Sequence, residues 1–342
     1  MKVITFGEIM MRLKAPYGER ILQSPMLEAT FGGAEANVAV SLANYGFDAM
    51  YLTALPDHKI GDACIKELRS FNVNTDGIVR KPSSRLGIYY VEPGANQLPS
   101  KVIYDRSHSA FSQIEFDDFE WDTILRDATW FHTSGITPAL TQNCFDVTYE
   151  VLKQVKKQGI KISIDLNYRN KLWKYGKSAE ELMPKLVEQA DVIIANEEDV
   201  QKTLGIGLEH EFRSDALDLK FYERLSKRVM DQYKNLTAVA ITLRESESAN
   251  VNGWSACLKT SEEFVVSNKY IIRDIVDRVG GGDSFSAGLI YGLNTYETVE
   301  ETINFAVAAS CLKHSIIGDF NRVDVEDVIK LMTGDGSGRV VR

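Results

Sequence analysis

The sequence predicts an α/β fold in which a doubly wound, mostly parallel sheet carries a small inserted β-sheet. Short apolar runs recur along the 342 residues, helical patterns separate most of them, and glycines close two of these helices. Strands that alternate with helices form βαβ units, which cover both faces of a parallel sheet. With 44% hydrophobic residues, the chain can form one such domain over residues 1–342.

Six apolar runs are the candidate strands of the main sheet. They are residues 2–6 (KVITF), 49–54 (AMYLTA), 128–133 (ATWFHT), 160–166 (IKISIDL), 191–196 (DVIIAN) and 237–243 (TAVAITL). Two helical patterns, at 34–46 and 144–159, end in Gly46 and Gly159. A glycine there indicates a helix end, because it adopts the left-handed conformation that often terminates a helix.

Three further segments break this rhythm and predict a small antiparallel sheet, which we call the β lid. They are residues 9–15 (IMMRLKA), 85–92 (RLGIYYVE) and 101–106 (KVIYDR), so the lid comes from about residues 9–30 and 85–106. A sheet with one uncovered face needs a partner, which predicts a cover over a site, a subunit interface in a homo-oligomer, or both. Residues 205–215 read as a surface insertion.

Charge and cysteine usage exclude several classes of protein. A net charge of -9 argues against a nucleic-acid binder, which needs clustered Lys and Arg to neutralise phosphates. Cys64, Cys144, Cys257 and Cys311 lie far apart, as free thiols of a reducing compartment do. No run approaches the roughly 18 apolar residues of a membrane span. We therefore expect a cytoplasmic protein that does not act at a membrane.

The most informative segment is residues 277–293, DRVGGGDSFSAGLIYGL. Gly280, Gly281 and Gly282 precede Asp283 and a helix of small and apolar residues. Glycines let backbone N–H groups converge, and a helix N-terminus adds partial positive charge, so the pattern suits an anion hole for a transferring phosphoryl group. Asp283 would then be the base that takes the proton of an attacking hydroxyl. A plain turn followed by a helix-capping Asp explains the same residues.

A second glycine pair lies near the N-terminus in FGGAEANVAV. Gly32 and Gly33 precede a helix that carries Asn37 one turn inside. Backbone can approach a ligand closely at such a pair, although a simple loop-to-helix junction has the same sequence pattern.

The two glycine segments together resemble the ribokinase-like, or phosphofructokinase-B, family of carbohydrate kinases, over nearly the whole chain. In that family a GG…N segment grips the sugar and a D…GAGD segment supplies the anion hole and the base. Gly281 replaces the usual Ala here, which keeps the backbone donors. The resemblance implies a kinase that uses ATP and Mg²⁺ to phosphorylate a small polyhydroxylated substrate held by Gly33 and Asn37.

Four segments narrow the resemblance to the branch of the family that phosphorylates 2-keto-3-deoxygluconate. They are DLNYRNKLW (165–173), DRVGGGDSF, FGGAEAN and IIGDFN (316–321). Fructokinases share part of this set and stay an alternative, as does a non-catalytic sugar-binding regulator. The closer resemblance implies substrate contacts from Tyr90, Tyr104, Arg106, Arg169 and Asp319. An Arg fork matches the carboxylate of a sugar acid, although an Arg is also often an ordinary ion-pair partner.

The same resemblance implies nucleotide and cation contacts. The nucleotide residues would be Asn167, Asn196, Thr242, Arg244, Gly280, Gly282 and Val307. Glu198 and Asp199 stand at the family's NxxE motif and are candidates for Mg²⁺, while an acidic first helical turn explains them equally well. Asp277 matches an Asp that helps to hold a monovalent cation, which makes K⁺ a candidate cofactor, and an ordinary loop Asp is the alternative.

Overall fold

The computed structural model describes residues 1–207 and 218–334, so positions 208–215 of the predicted surface insertion lie outside the described residues. The strands are, in chain order, β1 (Lys2–Phe6), β2 (Met10–Lys14), β3 (Glu28–Gly32), β4 (Asp48–Leu52), β5 (Ala54–Pro56), β6 (Val79–Lys81), β7 (Gly87–Glu92), β8 (Lys101–Asp105), β9 (Ala128–Ser134), β10 (Lys161–Asp165), β11 (Val192–Ala195), β12 (Ala238–Ser246), β13 (Asn252–Thr260), β14 (Phe264–Val266) and β15 (Tyr270–Ile272).

The α-helices of these two ranges are α1 (Ala34–Asn44), α2 (Lys59–Ser70), α3 (Trp121–Ile124), α4 (Gln142–Lys157), α5 (Ala179–Val187), α6 (Glu197–Leu204), α7 (Leu219–Gln232), α8 (Gly281–Thr295), α9 (Val299–Lys313) and α10 (Val325–Met332). None of them combines the length and the apolar character that crossing a bilayer requires. Gly46 and Gly159, which follow α1 and α4, have φ values of 84° and 73°, as the helix-end prediction requires.

Nine strands form the main sheet, in the order β14–β13–β12–β11–β10–β9–β1–β4, with β15 paired to β13. The strands from β12 to β4 are all parallel, whereas β13 is antiparallel to β12, β14 and β15. This confirms the predicted doubly wound sheet. The antiparallel end was not predicted from the sequence, because NGWSACLKT in β13 has neither a continuous apolar run nor a clean alternation.

Two hydrophobic cores lie on opposite faces of the main sheet. Ile4 and Phe6 of β1 join α4, α5, α6 and α7 in one core, while Val3 joins α1, α8, α9 and α10 in the other. Successive side chains of a strand point to opposite faces, so a strand that is buried along its length contributes to both cores. Helices on both faces leave the carboxyl edge of the sheet as the open side of the domain.

The β lid is a separate four-stranded sheet with the order β3–β2–β7–β8. The pairs β2–β3 and β7–β8 are antiparallel, but β2 and β7 pair in parallel, so the prediction of an antiparallel lid was wrong for that pair. A parallel pair needs a crossover between its strands, and α1, β4 and α2 provide it here. The chain therefore re-enters the lid along β7 in the direction of β2, opposite to β3, the strand along which it left the lid.

Candidate active site

A cavity of about 720 Å³ lies between the β lid and the carboxyl ends of β10, β11 and β12. This is the edge at which open α/β sheets bind their ligands. All of the site residues that we predicted from the sequence line it, except Tyr90, Val307 and Asp277. Segments from both ends of the chain therefore meet around one space.

The glycine segment forms the start of α8. Gly280 precedes the helix with φ of 85°, and a Cβ there would lie 2.2 Å from the backbone oxygen of Asp319, so glycine is required for both reasons. Gly282 is exposed to the cavity and a Cβ built on it meets no atom within 4 Å. The N–H groups of Gly282 and Asp283 belong to the first turn and have no acceptor within the helix. An anion in the cavity could therefore accept from them.

Asp283 lies beside this open helix end and is held by Asn37. The Asn37 side-chain amide donates to Asp283 Oδ2 at 2.6 Å, and its oxygen accepts from the N–H of Gly33 at 3.3 Å. Burial raises the pKa of Asp283 to about 7, an effect that the Asn37 hydrogen bond partly offsets. A carboxyl that is oriented in this way and titrates near neutrality suits proton abstraction.

Gly33 itself allows a close crossing of two segments. A Cβ at this position would lie 2.2 Å from the backbone oxygen of Glu8, so any side chain would push α1 away from the segment that follows β1. The glycine thus fixes the start of α1, and with it the direction in which Asn37 points.

The two predicted arginines differ in their charge environment. Arg106 is buried and donates to Glu8, with Nε 2.7 Å from Oε2, and Ser109 donates to the other oxygen of Glu8. Arg169 is exposed, and its recorded hydrogen bond is to the backbone oxygen of Tyr168 at 2.9 Å. Among the described residues no carboxylate lies within ion-pair distance of Arg169, so its charge remains available to a ligand.

Asp319 lies at the base of the cavity and is shared between two lid strands. Arg12 of β2 donates to its Oδ1 at 2.6 Å, and Tyr89 of β7 donates to its Oδ2 at 2.5 Å. Burial raises the pKa of Asp319, and Arg12 opposes that rise. These hydrogen bonds hold the inner face of the lid against the loop that follows α9.

Tyr90 does not line the cavity, so its predicted substrate contact stays a prediction. Its neighbour Tyr89 faces the cavity and is buried, and Tyr104 on β8, paired with Tyr89, lines the cavity too. Because side chains alternate along a strand, Tyr90 points to the outer face of the lid.

The acidic motif at the start of α6 is a helix cap, and two further carboxylates beside it, those of Glu197 and Glu198, line the cavity. Asn196 and Asp199 form a capping box, and Asp199 accepts backbone N–H groups at both oxygens, from Tyr168 at 2.9 Å and Asn196 at 3.2 Å. Glu198 is exposed at the cavity wall. Of the two predicted magnesium ligands, Glu198 is therefore the better placed.

Asp165 is an acidic cavity residue that the sequence analysis did not select. It ends β10, and its Oδ1 accepts from the N–H of Asn167 at 3.2 Å, a residue with φ of 36°. Burial raises the pKa of Asp165, and the nearby Asp199 and Asp283 raise it further. The available signal was its position, because the last residue of a parallel strand lies at the binding edge.

The wall beyond the glycine turn combines predicted and unpredicted residues. Thr242 and Arg244 of β12 line it as predicted, together with Arg278, Trp254 and His314. Burial lowers the pKa of His314 to about 4, so the ring is neutral near pH 7 and its Nδ1–H donates to the Ser310 carbonyl at 2.7 Å.

Val307 is fully buried on the face of α9 that packs into the core, and it does not line the cavity. Its nucleotide contact stays a prediction.

Asp277 also fails to line the cavity, and its carboxylate is already occupied. Arg12 donates to Oδ2 at 2.6 Å, the N–H of Gly318 donates to the same oxygen at 3.2 Å, and the N–H of Val279 donates to Oδ1 at 3.2 Å. The Arg12 guanidinium thus already pairs with the carboxylate that would bind a cation, and the monovalent-cation site at Asp277 stays a prediction.

Comparison with known proteins shows which family of proteins this chain resembles. The pfkB family carbohydrate kinase model matches residues 1–319. The crystal structure of 2-dehydro-3-deoxygluconokinase from Thermotoga maritima is 46% identical, with a TM-score of 0.92 and 98% of both chains covered. A 2-dehydro-3-deoxygalactonokinase from Haloferax volcanii is 32% identical over 338 residues, covering 98% of both chains.

A Pyrococcus horikoshii sugar kinase, solved in complex with ATP, shares the fold with 24% identity, a TM-score of 0.75, and coverage of 96% of this chain and 97% of its own. The match of the family model over most of the chain, and two relatives above 30% identity over nearly its full length, establish the family. This chain belongs to the pfkB family of carbohydrate kinases.

Proposed function

We propose that this kinase transfers the γ-phosphoryl group of ATP to the terminal hydroxyl of 2-keto-3-deoxygluconate. The observation that carries the proposal is the position of Asp283 between the open N-terminus of α8 and the Asn37 amide, in a cavity that is also lined by Arg169. The Thermotoga relative, named for the phosphorylation of the same sugar acid, supports the choice of substrate.

Phosphoryl transfer depends on positioning and on charge stabilisation more than on covalent help from the protein. Asp283 would accept the proton of the sugar hydroxyl at its free oxygen, while Asn37 keeps the other oxygen in place. The backbone N–H groups of Gly282 and Asp283 would donate to the phosphoryl oxygens as charge builds on them.

Further along the wall, Trp254 has an indole N–H without an acceptor among the described residues, which suits a nucleotide contact. Thr242, Arg244 and Arg278 would lie against the same ligand. We therefore place the adenosine end of ATP on this side of the cavity and the sugar beneath the lid.

Magnesium fits the residues present at the cavity. Mg²⁺ keeps several waters and needs only one or two protein carboxylates beside the phosphates. Glu198 is exposed to the cavity and Asp165 points into it, although the described residues contain no ready-made cluster of three or more ligands. When bound with ATP, Mg²⁺ would neutralise phosphate charge.

Arg169 is the proposed partner of the substrate carboxylate. Arg106 already donates to Glu8, so it contributes directional N–H groups without net positive charge. Arg169 has no such partner among the described residues and reaches the same cavity. A sugar acid should therefore gain more from this site than a neutral hexose does.

The direct test is ADP formation with a panel of sugars that includes 2-keto-3-deoxygluconate, its galacto epimer, and fructose. We expect the sugar acids to give the highest kcat/KM. A preference for fructose would instead support the fructokinase alternative, and sugar binding without ADP formation would support a non-catalytic regulator.

Replacement of Arg169 tests carboxylate recognition. A charge-assisted hydrogen bond contributes about 1.5 to 3 kcal/mol, so Arg169→Ala should lower kcat/KM for 2-keto-3-deoxygluconate by roughly tenfold to a hundredfold. The effect on fructose should be much smaller, since no carboxylate contact is lost. Lys171→Ala is the control, because Lys171 is a nearby exposed cation outside the cavity. An equal loss with both sugars would refute the assignment.

We also propose that the lid joins two copies of this chain. Its outer face carries a continuous apolar patch, because Leu13, Tyr90 and Ile103 are neighbours across three strands and Met11 pairs with Ile88 beside them. Ile103 is 54% exposed. Covering this patch with an equivalent one would bury it in a symmetric interface.

We further propose that the enzyme works in the cytoplasm, because ATP is available there and free cysteines persist in a reducing compartment.

Light scattering should therefore give at least twice the chain mass of 38.4 kDa. Ile103→Lys, which places a charge in the patch, should shift the protein towards the monomer. Ile271→Lys is a matched control, since Ile271 is 48% exposed on β15, outside the lid. A monomeric wild type at micromolar concentration would contradict the proposed interface.

A further inference from the structure

Behind the glycine turn lies a fully buried lysine that the proposed chemistry does not use. Lys313 is the last residue of α9, and its side chain has no solvent exposure. A Cβ built on Gly280 would lie 3.2 Å from its Cε, so the lysine stem packs directly against the residue that precedes α8. An ammonium is rarely buried unless nearby charges or acceptors compensate for the lost water.

The surroundings of Lys313 provide that compensation. Its Nζ donates to the backbone oxygen of Ile316 at 3.1 Å, and the charges of Asp277, Asp319 and, to a smaller extent, Asp283 favour its protonated form. Burial lowers the pKa of Lys313; Arg12 adds to that effect, and the three carboxylates oppose it. Since Arg12 pairs with both Asp277 and Asp319, the group comprises two fixed cations and two fixed anions.

We propose that the Lys313 ammonium is a built-in counter-ion for the phosphate-binding turn, so that this enzyme needs no K⁺ or other monovalent cation. The site residues do not fit such an ion, because Arg12 and backbone N–H groups occupy the Asp277 carboxylate, and the Lys313 ammonium already takes the Ile316 carbonyl. Lys313 is a positioning residue: it holds the loop around Ile316 and Gly280 and balances buried negative charge behind the triphosphate.

This inference rests on the proposed kinase function for its kinetic effect, but not for its effect on cation binding. Thermal unfolding measured in tetramethylammonium, Na⁺, K⁺ and NH₄⁺ chlorides at one ionic strength tests it without any sugar. The wild-type melting temperature should be the same in all four salts. The wild-type rate, measured with whichever sugar the enzyme accepts, should likewise not depend on the cation.

Two substitutions separate charge from packing. Lys313→Ala opens space and removes the charge, and Lys313→Met removes the charge but keeps the space filled. Both should lower kcat by roughly tenfold to a hundredfold, as expected when a buried charge near a transferring phosphoryl group is lost. K⁺ or NH₄⁺ should restore part of the rate and raise the melting temperature of Lys313→Ala only, because a ligand stabilises the state that binds it.

Lys157→Ala is the control, since Lys157 also ends a helix but is exposed. It should change neither the rate nor the response to cations. A wild type that K⁺ activates or stabilises over tetramethylammonium would overturn the proposal. So would a folded Lys313→Ala variant that no cation restores. The comparison of salts on the wild type needs no variant. The proposal can therefore be refuted even if both Lys313 variants fail to fold.

Discussion

Asp283→Asn is expected to lower kcat by roughly 10²- to 10⁴-fold, the usual contribution of a positioned general base. Asn has nearly the same shape and can keep a hydrogen bond to Asn37 after rotation of its amide, but it cannot take a proton. Steady-state kinetics should therefore show the loss in kcat, while calorimetry shows sugar and nucleotide affinities close to those of the wild type.

The pH dependence gives a second readout of the same residue. Burial raises the pKa of Asp283 to about 7, so the reactive carboxylate is present above that pH and is lost as pH falls through it. Wild-type kcat should rise with pH through about 7, and Asp283→Asn should lack this limb. Asp327→Asn is the control, because Asp327 holds the third position of α10 as Asp283 does in α8. A folded Asp283→Asn variant with more than about a third of wild-type kcat would exclude the base role.

Arg12→Met is expected to reduce the free energy of unfolding by about 3 to 5 kcal/mol, the typical result of removing one partner of a buried ion pair. Arg12 is 1% exposed and pairs with Asp277 and Asp319 at 2.6 Å each. Methionine fills a similar space but leaves two buried carboxylates without their principal cation. Urea denaturation, with the midpoint and slope measured separately, provides the test.

A surface ion pair supplies the comparison. Arg322 pairs with Glu67 at 3.8 Å, and the two side chains are 57% and 41% exposed, so Arg322→Met should cost less than about 1 kcal/mol. Adding Asp277→Asn to Arg12→Met should recover part of the lost stability, since one unpaired charge is removed. Equal losses for the two arginine variants would show that the buried network does not stabilise the fold.

The sequence predicted the parallel strands and the glycine turns well, because both depend on local signals. Buried parallel strands appear in the sequence as apolar runs, and a few consecutive residues are enough to recognise a glycine turn that begins a helix. The β lid was found from its alternation, but its strand order was not, because the parallel pairing of β2 and β7 depends on elements between them. The sequence of one strand carries little information about which distant strand it pairs with.

The differences between the predicted site residues and those that line the cavity have equally physical causes. The choice between Tyr89 and Tyr90 depends on the register of one strand, where a shift of one residue exchanges the two faces. Asp277 resembles a cation ligand until Arg12 is placed beside it, and the two residues are 265 positions apart. Lys313 reads as an ordinary basic residue in the last turn of a helix. Only the packed structure shows that this lysine is fully buried.

The Arg12–Asp319 ion pair has a consequence for synthesis on the ribosome. Its partners are separated by 307 residues, and the Asn37–Asp283 hydrogen bond spans 246. Chains emerge N-terminus first, so β2 leaves the exit tunnel long before the loop that neutralises its arginine exists. During that interval the lid strands lack the loop that they pack against, and the Arg12 side chain has neither of its carboxylate partners. The cavity can therefore be completed only after residue 319 has emerged, and a fragment released before residue 283 would lack the proposed base.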